Sequence, residues 1–273
     1  MYNTCIYFRK DPDNEQEFNE LLNIAKELGY ENNVFNYLLN VPENSLIFGR
    51  YSVLPFYKHI EEEFSLINSK LINSYDHHKY IADMHWYYDI ENITPKSHFN
   101  AGWLNVPKYK NGWVVKGITN SRKFKWNTHM YASTIDDLKN VIERLYDDPL
   151  IKDQGIVIRE YIPLEIYETG INGMKFTNEW RFFFFGSNII DYGYYWSIID
   201  DKNKIPDDIE PEGKKLALKS ADIISKHTNF FVVDVAKTQE GNWIVIEIND
   251  GQMSGLSTIP PKRFYKNLLT LCF

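Results

Sequence analysis

Apolar residues recur along this chain with two periods. Spacings of three and four mark helices over residues 15–28 (Phe18, Leu21, Leu22, Ile24, Ala25 and Leu28, stopped by Gly29), 53–67 (entered through Pro55), 135–146 and 213–226. Runs rich in valine, isoleucine and aromatics predict strands over residues 4–8, 45–48, 112–119, 155–162, 178–185, 189–196, 231–236 and 243–248. Residues 71–88 read as a polar turn followed by an amphipathic helix, and Thr94-Pro95 closes that stretch. Strand and helix order over residues 1–75 predicts a small α/β domain, with residues 76–273 forming the larger remainder.

The polar residues that interrupt the apolar runs carry the candidate chemistry. Lys116 stands alone inside the strand Gly-Trp-Val-Val-Lys-Gly, where an unpaired ammonium is costly, so it requires an anion. The loop that follows adds Ser121, Arg122, Lys123 and Lys125, either a phosphate path or a solvated basic loop. Arg181 sits in an otherwise aromatic strand, either paired with a carboxylate such as Glu179 or free for a phosphate. The last two strands form a hairpin in which alternation gives Glu247 and Asn249 one face, with Asp234 on the partner strand. Two carboxylates and an amide oxygen suit a magnesium ion, which keeps several waters; the alternative is a hairpin whose polar residues face water. Arg50, after the 45–48 strand where α/β folds often place ligand contacts, reads rather as a surface arginine, and His77, His78 and His85 lack the spacing of a metal site.

Composition narrows the class. With 44% hydrophobic, 25% charged and 16% aromatic residues, the sequence reads as folded and soluble. A net charge of -7 does not favour a nucleic-acid partner, although a local basic groove remains compatible with it. Cys5 and Cys272 have no metal-ligand spacing and suggest a reducing, cytoplasmic setting; no apolar run is long enough to span a bilayer.

The order of lysine strand, basic loop, helix, apolar strand ending in Glu-Tyr-Ile, arginine strand, helix, aspartate strand and Glu-x-Asn strand resembles the ATP-grasp ligases. The resemblance covers about residues 70–273, and EIND at 247–250 is its most diagnostic fragment. It implies an α+β, ATP-grasp fold, in which two α/β lobes hold ATP between antiparallel sheets behind a small α/β domain. The nucleotide lobe would span about residues 93–162 and the metal and catalytic lobe about 163–273. Lys116 would contact the α- and β-phosphates and, with Arg181, offset the charge on the transferred group, and Lys123 or Lys125 would be a second phosphate-facing lysine. That pair is similar to the one in a compact, often viral or bacterial, clade defined by an arginine and two lysines. Arg159, Glu160, Tyr161 and Ile162 resemble the linker whose backbone bonds adenine, and Glu165 or Glu168 would hold the ribose. Arg181 resembles the arginine that meets the terminal phosphate and acyl-phosphate, and Asp234, Glu247 and Asn249 the Mg2+-binding set. The family's glycine-rich flap is missing, since residues 120–125 contain no glycine, which leaves its work to side chains such as Ser121 and Lys123.

The implied activity is ATP-dependent ligation: a carboxylate is activated as an acyl-phosphate and joined to an amine, with small molecules or peptides as partners. The same nucleotide bed would also serve a kinase, an RNA-modifying or RNA-joining enzyme using Arg122, Lys123 and Lys125 as a groove, or a non-catalytic nucleotide-binding regulator.

Overall fold

The computed structural model describes residues 2–9, 11–51, 56–170, 174–199 and 201–272. Three four-stranded sheets and a small hairpin organise them. The first sheet is parallel, in the order Val34–Phe35, Asn3–Phe8, Ser45–Arg50, Lys70–Leu71. Helix Glu15–Leu28 buries Phe18, Leu21, Ile24 and Ala25, one stripe of its surface, and ends where Gly29 takes a φ of 78° that lets its amide reach back to the last turn. The expected helix at 53–67 is observed as Tyr57–Leu66; its predicted entry at Val53 and Pro55 lies outside the described residues.

The single helix expected within residues 71–88 is instead two, Tyr75–Ala82 and Trp86–Asp89. Met84, at a φ of 58°, breaks the helical path between them. The break lets Ile81, Met84, Trp86 and Tyr87 all reach one core.

The second sheet is antiparallel, in the order Ser97–Phe99, Ile156–Glu160, Trp113–Gly117, Tyr131–Ala132. Helix Ile135–Tyr146 covers it with Leu138, Val141, Ile142 and Leu145, spaced three and four apart, and starts in a capping box made by Thr134 and Asp137. The third sheet is also antiparallel, in the order Asn188–Tyr194, Glu179–Phe185, Phe230–Lys237, Trp243–Asp250. Between the second and third sheets in sequence lies a hairpin, Ile166–Thr169 with Lys175–Thr177, that periodicity alone does not announce.

The third sheet decides where chemistry can occur. One face (Phe182, Phe184, Phe231, Val233, Val235) packs in one core with Ala217, Ala221 and Ile224 of helix Pro211–Ile224. On the opposite face, Phe183, Phe230 and Val232 join a core with the first sheet and with Phe264, Tyr265, Leu268 and Leu269 of helix Pro261–Cys272. Cover on both faces explains why the Glu179–Phe185 strand reads as an aromatic run rather than an alternating one. The same face's other end carries Glu179, Arg181, Asp234 and Glu247, which the first sheet does not cover.

Arg50 corrects an expectation. It is fully buried rather than on the surface. Its guanidinium donates to the carbonyls of Gly251 (2.6 Å) and Ser254 (3.0 Å), to the Tyr265 and Tyr51 hydroxyls (3.1 and 3.0 Å) and to Glu17 (3.0 Å). Five donors, all satisfied, and one paired carboxylate make burial of the charge tolerable. The outer edge of the third sheet is closed as well: the carbonyls of Ile190, Tyr192 and Tyr194 accept from Asn267 Nδ2, Arg263 Nη2 and Thr258 Oγ1 at 2.9, 2.9 and 2.7 Å.

Candidate active site

A cleft of about 1080 Å³, counted to its open mouth, separates the second sheet from the third. Strand register places Glu247 in its floor, with Asp234 and Arg181 on the neighbouring strands. Arg181 lies opposite Asp234, and Asp234 opposite Glu247. Asp234 pairs with Glu247 while Val235 pairs with Val245, so Ile246 is one residue too many, a β-bulge. The bulge keeps both Ile246 and Glu247 on the cleft side, which simple alternation forbids. Arg159 holds it from the second sheet, donating to the Ile246 carbonyl at 2.7 Å and to Ser97 Oγ and Thr94 Oγ1 at 3.0 and 2.8 Å.

Arg181 grips Asp234 with two parallel bonds of 2.9 and 2.8 Å and donates to the Gly255 carbonyl at 2.9 Å. Its carboxylate partner is therefore Asp234, not the Glu179 anticipated as one option. Asn249 Nδ2 donates to Asp234 at 3.2 Å, completing the three hard-oxygen residues expected from the hairpin. From the roof, Lys116 is 8% exposed and ion-paired with Glu247. The strand lysine thus has the anion that its burial demanded.

The electrostatics follow from this crowding. Burial pulls the Lys116 ammonium below the ordinary lysine range, against the opposing effect of Glu247. Burial would raise the Glu247 carboxyl, but Lys116, Lys123 and Arg159 together bring it down to about 2. Burial pushes Glu179 up to about 7, with Lys123 and Arg181 only partly offsetting it. Burial likewise lowers Arg159, to about 10.

The structure separates residues that the sequence left together. Lys123 lines the cleft, its ammonium 2.6 Å from the Tyr195 hydroxyl, whereas Lys125 is exposed and outside it. Arg122 is held in a salt bridge by Asp148, which takes one cation out of the imagined nucleic-acid groove. Glu160, Tyr161 and Ile162 line the cleft beside apolar walls from Val114, Met130, Leu164, Ile244 and Ile246. The Tyr161 amide is bonded to the Gly112 carbonyl at 3.0 Å. Among the described residues nothing takes the Ile162 N–H. Glu165 and Glu168 do not line the cleft: Glu165 accepts from Asn178 Nδ2 at 2.8 Å, and Glu168 from the Asp201 amide at 3.2 Å. Asp250 points away from it, accepting from Asn73, the Gln252 amide and His78, and so steadies the turn after the last strand.

Sequence reasoning did not assign to the site Glu179 and Trp126, which line the cleft, or Tyr195, which bonds the cleft residue Lys123. Glu179 shares the face of Arg181 two positions on, so the alternation that located one located both. Trp126 follows the basic loop and stands against Tyr131 and Tyr161. Tyr195, in the segment predicted as the strand 189–196, lies against both Lys123 and Arg181.

The fold and this cleft define an ATP-grasp protein, and the chain belongs to that family. Residues 101–268 match the family model described as an ATP-grasp domain, family 3 of the arginine-and-two-lysine clade. Solved structures with the same fold include the ATP-grasp ligase PsnB complexed with precursor peptide PsnA2 and AMPPNP (TM-score 0.62, 12% identity, 99% of each chain covered). Macrocyclase MdnC bound with precursor peptide MdnA, from Microcystis aeruginosa MRC, is similar at a TM-score of 0.60 and 12% identity over 99% of each chain. The D-cycloserine synthetase DcsG is similar at 0.59 and 13% identity, over 99% of this chain and 100% of its own. No curated protein matches the chain by sequence. No helix among the described residues is long and apolar enough to cross a membrane.

Proposed function

We propose that this chain is an ATP-dependent ligase that activates a carboxylate as an acyl-phosphate and joins it to an amine. The observation that carries the reading is a cleft lined by Lys116, Lys123 and Glu247 beside an apolar slot, with Arg181, Asp234 and Asn249 bonded to one another next to Glu247 in the third sheet. The slot, lined by Ile162 whose N–H nothing among the described residues takes, suits a purine base, and the charged end suits its phosphates. In this reading residues 93–162 carry the base, residues 163–273 the metal and acceptor chemistry, and residues 1–75 brace the turn after the last strand.

Asp234, Glu247 and Asn249 fit Mg2+ by donor type: two carboxylates and an amide oxygen, all hard and all on one face. A bound ion would neutralise charge on the phosphates. The residues do the rest. An oxygen of the substrate carboxylate attacks the γ-phosphorus, the bond to the β-phosphate breaks, and ADP leaves; Lys123 and Arg181 offset the charge on the group in transit. The amine nitrogen then attacks the acyl carbon, the bond to phosphate breaks, phosphate departs, and the nitrogen loses a proton. The neighbours PsnB and MdnC, held with precursor peptides, support a peptide or amino-acid carboxylate as the acyl donor.

Melting temperature with and without ATP and magnesium tests the reading. The native chain gains stability with both, because a ligand that binds only the folded state at about 100 times its dissociation constant adds roughly 2.7 kcal/mol. Glu247→Gln and Asn249→Ala stay folded but lose ADP release. No shift at millimolar ATP, or normal turnover in both variants, overturns the assignment.

A further inference from the structure

Tyr195 follows the outer strand of the third sheet, and no part of the reaction as derived so far uses it. Its amide donates to the Glu179 carbonyl at 2.9 Å, so its backbone is fixed to the strand that carries Arg181. Its hydroxyl oxygen accepts from Lys123 Nζ at 2.6 Å. The Lys123 ammonium also lies 4.3 Å from the centre of its ring, and the Arg181 guanidinium 4.7 Å from it. Trp196 meets the ring edge-on at 5.0 Å and limits its tilt. Lys123 belongs to a loop of the second sheet and Arg181 to a strand of the third, so the two cations come from opposite sides of the cleft. Like charges converging on one site repel. An aromatic ring whose faces attract cations, and whose hydroxyl bonds one of them, offsets that repulsion before any phosphate arrives.

We infer that Tyr195 is a positioning residue that holds Lys123 and Arg181 together as one cationic receptor for the terminal phosphate of ATP. The inference rests on the proposed nucleotide chemistry and adds to it a determinant of selectivity for the triphosphate. AMP, which has no terminal phosphate, should not sense the residue. A loss of general packing would weaken every nucleotide alike.

Calorimetric dissociation constants for AMP and for β,γ-imido-ATP with magnesium, measured on the native chain and on Tyr195→Phe, Tyr195→Leu, Lys123→Ala and the Tyr195→Leu/Lys123→Ala double variant, separate these cases. Tyr195→Leu should weaken the triphosphate analogue by about tenfold, the scale of one charge-assisted hydrogen bond, and leave AMP within about twofold. Tyr195→Phe, which keeps the ring and loses the hydroxyl, should fall between Leu and native. The double variant should lose less than the product of the single losses, because both act through one receptor. Equal weakening of both nucleotides by Tyr195→Leu, or no weakening of either, overturns the inference and leaves the ligase reading standing. A native chain that binds neither nucleotide overturns the ligase reading and the inference with it.

Discussion

Arg50 and Arg181 are both buried, both carried by strands, and both donate to carbonyls of residues 251–255, from the first sheet and the third sheet respectively. They differ in what surrounds the rest of each guanidinium. Arg50 is enclosed by Glu17, Tyr51 and Tyr265, and every donor ends on the protein. Arg181 is held by Asp234 on one side and meets the Tyr195 ring on the other. A buried arginine with a closed set of partners is a structural clamp, whereas one with a partner that a metal or substrate can claim is poised for chemistry. The turn they share is thereby held from two sides, once for stability and once at the reaction site.

The largest effect should come from breaking the closed clamp. Arg50→Met leaves the largely buried Glu17 without its counter-charge and should cost about 3–5 kcal/mol in urea denaturation, the usual penalty for removing one member of a buried pair. A loss below about 1 kcal/mol would mean that the turn after the last strand holds itself. Next, Arg181→Lys keeps a positive charge but loses the planar fork, and should lower kcat/KM for ATP by about 10²-fold while moving the melting temperature less than Arg50→Met does. Equal stability losses in the two variants would erase the distinction between them.

The smallest effect is the pH signature of two carboxyls, Glu247 and Glu179, beside Arg181. Glu247, held down to about 2, contributes stability that is present above its ordinary 4.5 and is lost as pH falls from 4.5 towards 2. Glu179, raised to about 7, has the opposite sign: between 4.5 and 7 the folded state retains a proton that the unfolded state releases, so stability declines as pH rises through that window. Glu179→Gln should flatten the decline and Glu247→Gln the acid-side loss, in chemical denaturation without nucleotide or divalent cation. An unchanged profile in Glu179→Gln would place that carboxyl in contact with water.

Much of this was legible in the sequence because it depends on neighbours in the chain. The Lys116 strand, the Ile135–Tyr146 helix, and the shared face of Glu247 and Asn249 all follow from local period and the cost of an unpaired charge. What was not legible depends on distant pairing. Arg50 reads as a surface residue because nothing near it in sequence names Gly251, Ser254 or Tyr265, about 200 residues away, as partners. The Ile246 bulge is invisible because alternation assumes one residue per step. Lys123 and Lys125 look alike in the sequence and are separated only by which way a short turn faces.

The capped edge of the third sheet has a consequence beyond the site. An open row of strand carbonyls is where one protein molecule can dock onto another and where sheets grow into aggregates. Here Thr258, Arg263 and Asn267 occupy that row one carbonyl at a time, so the segment that completes the hydrophobic core also keeps an aromatic-rich sheet from becoming adhesive.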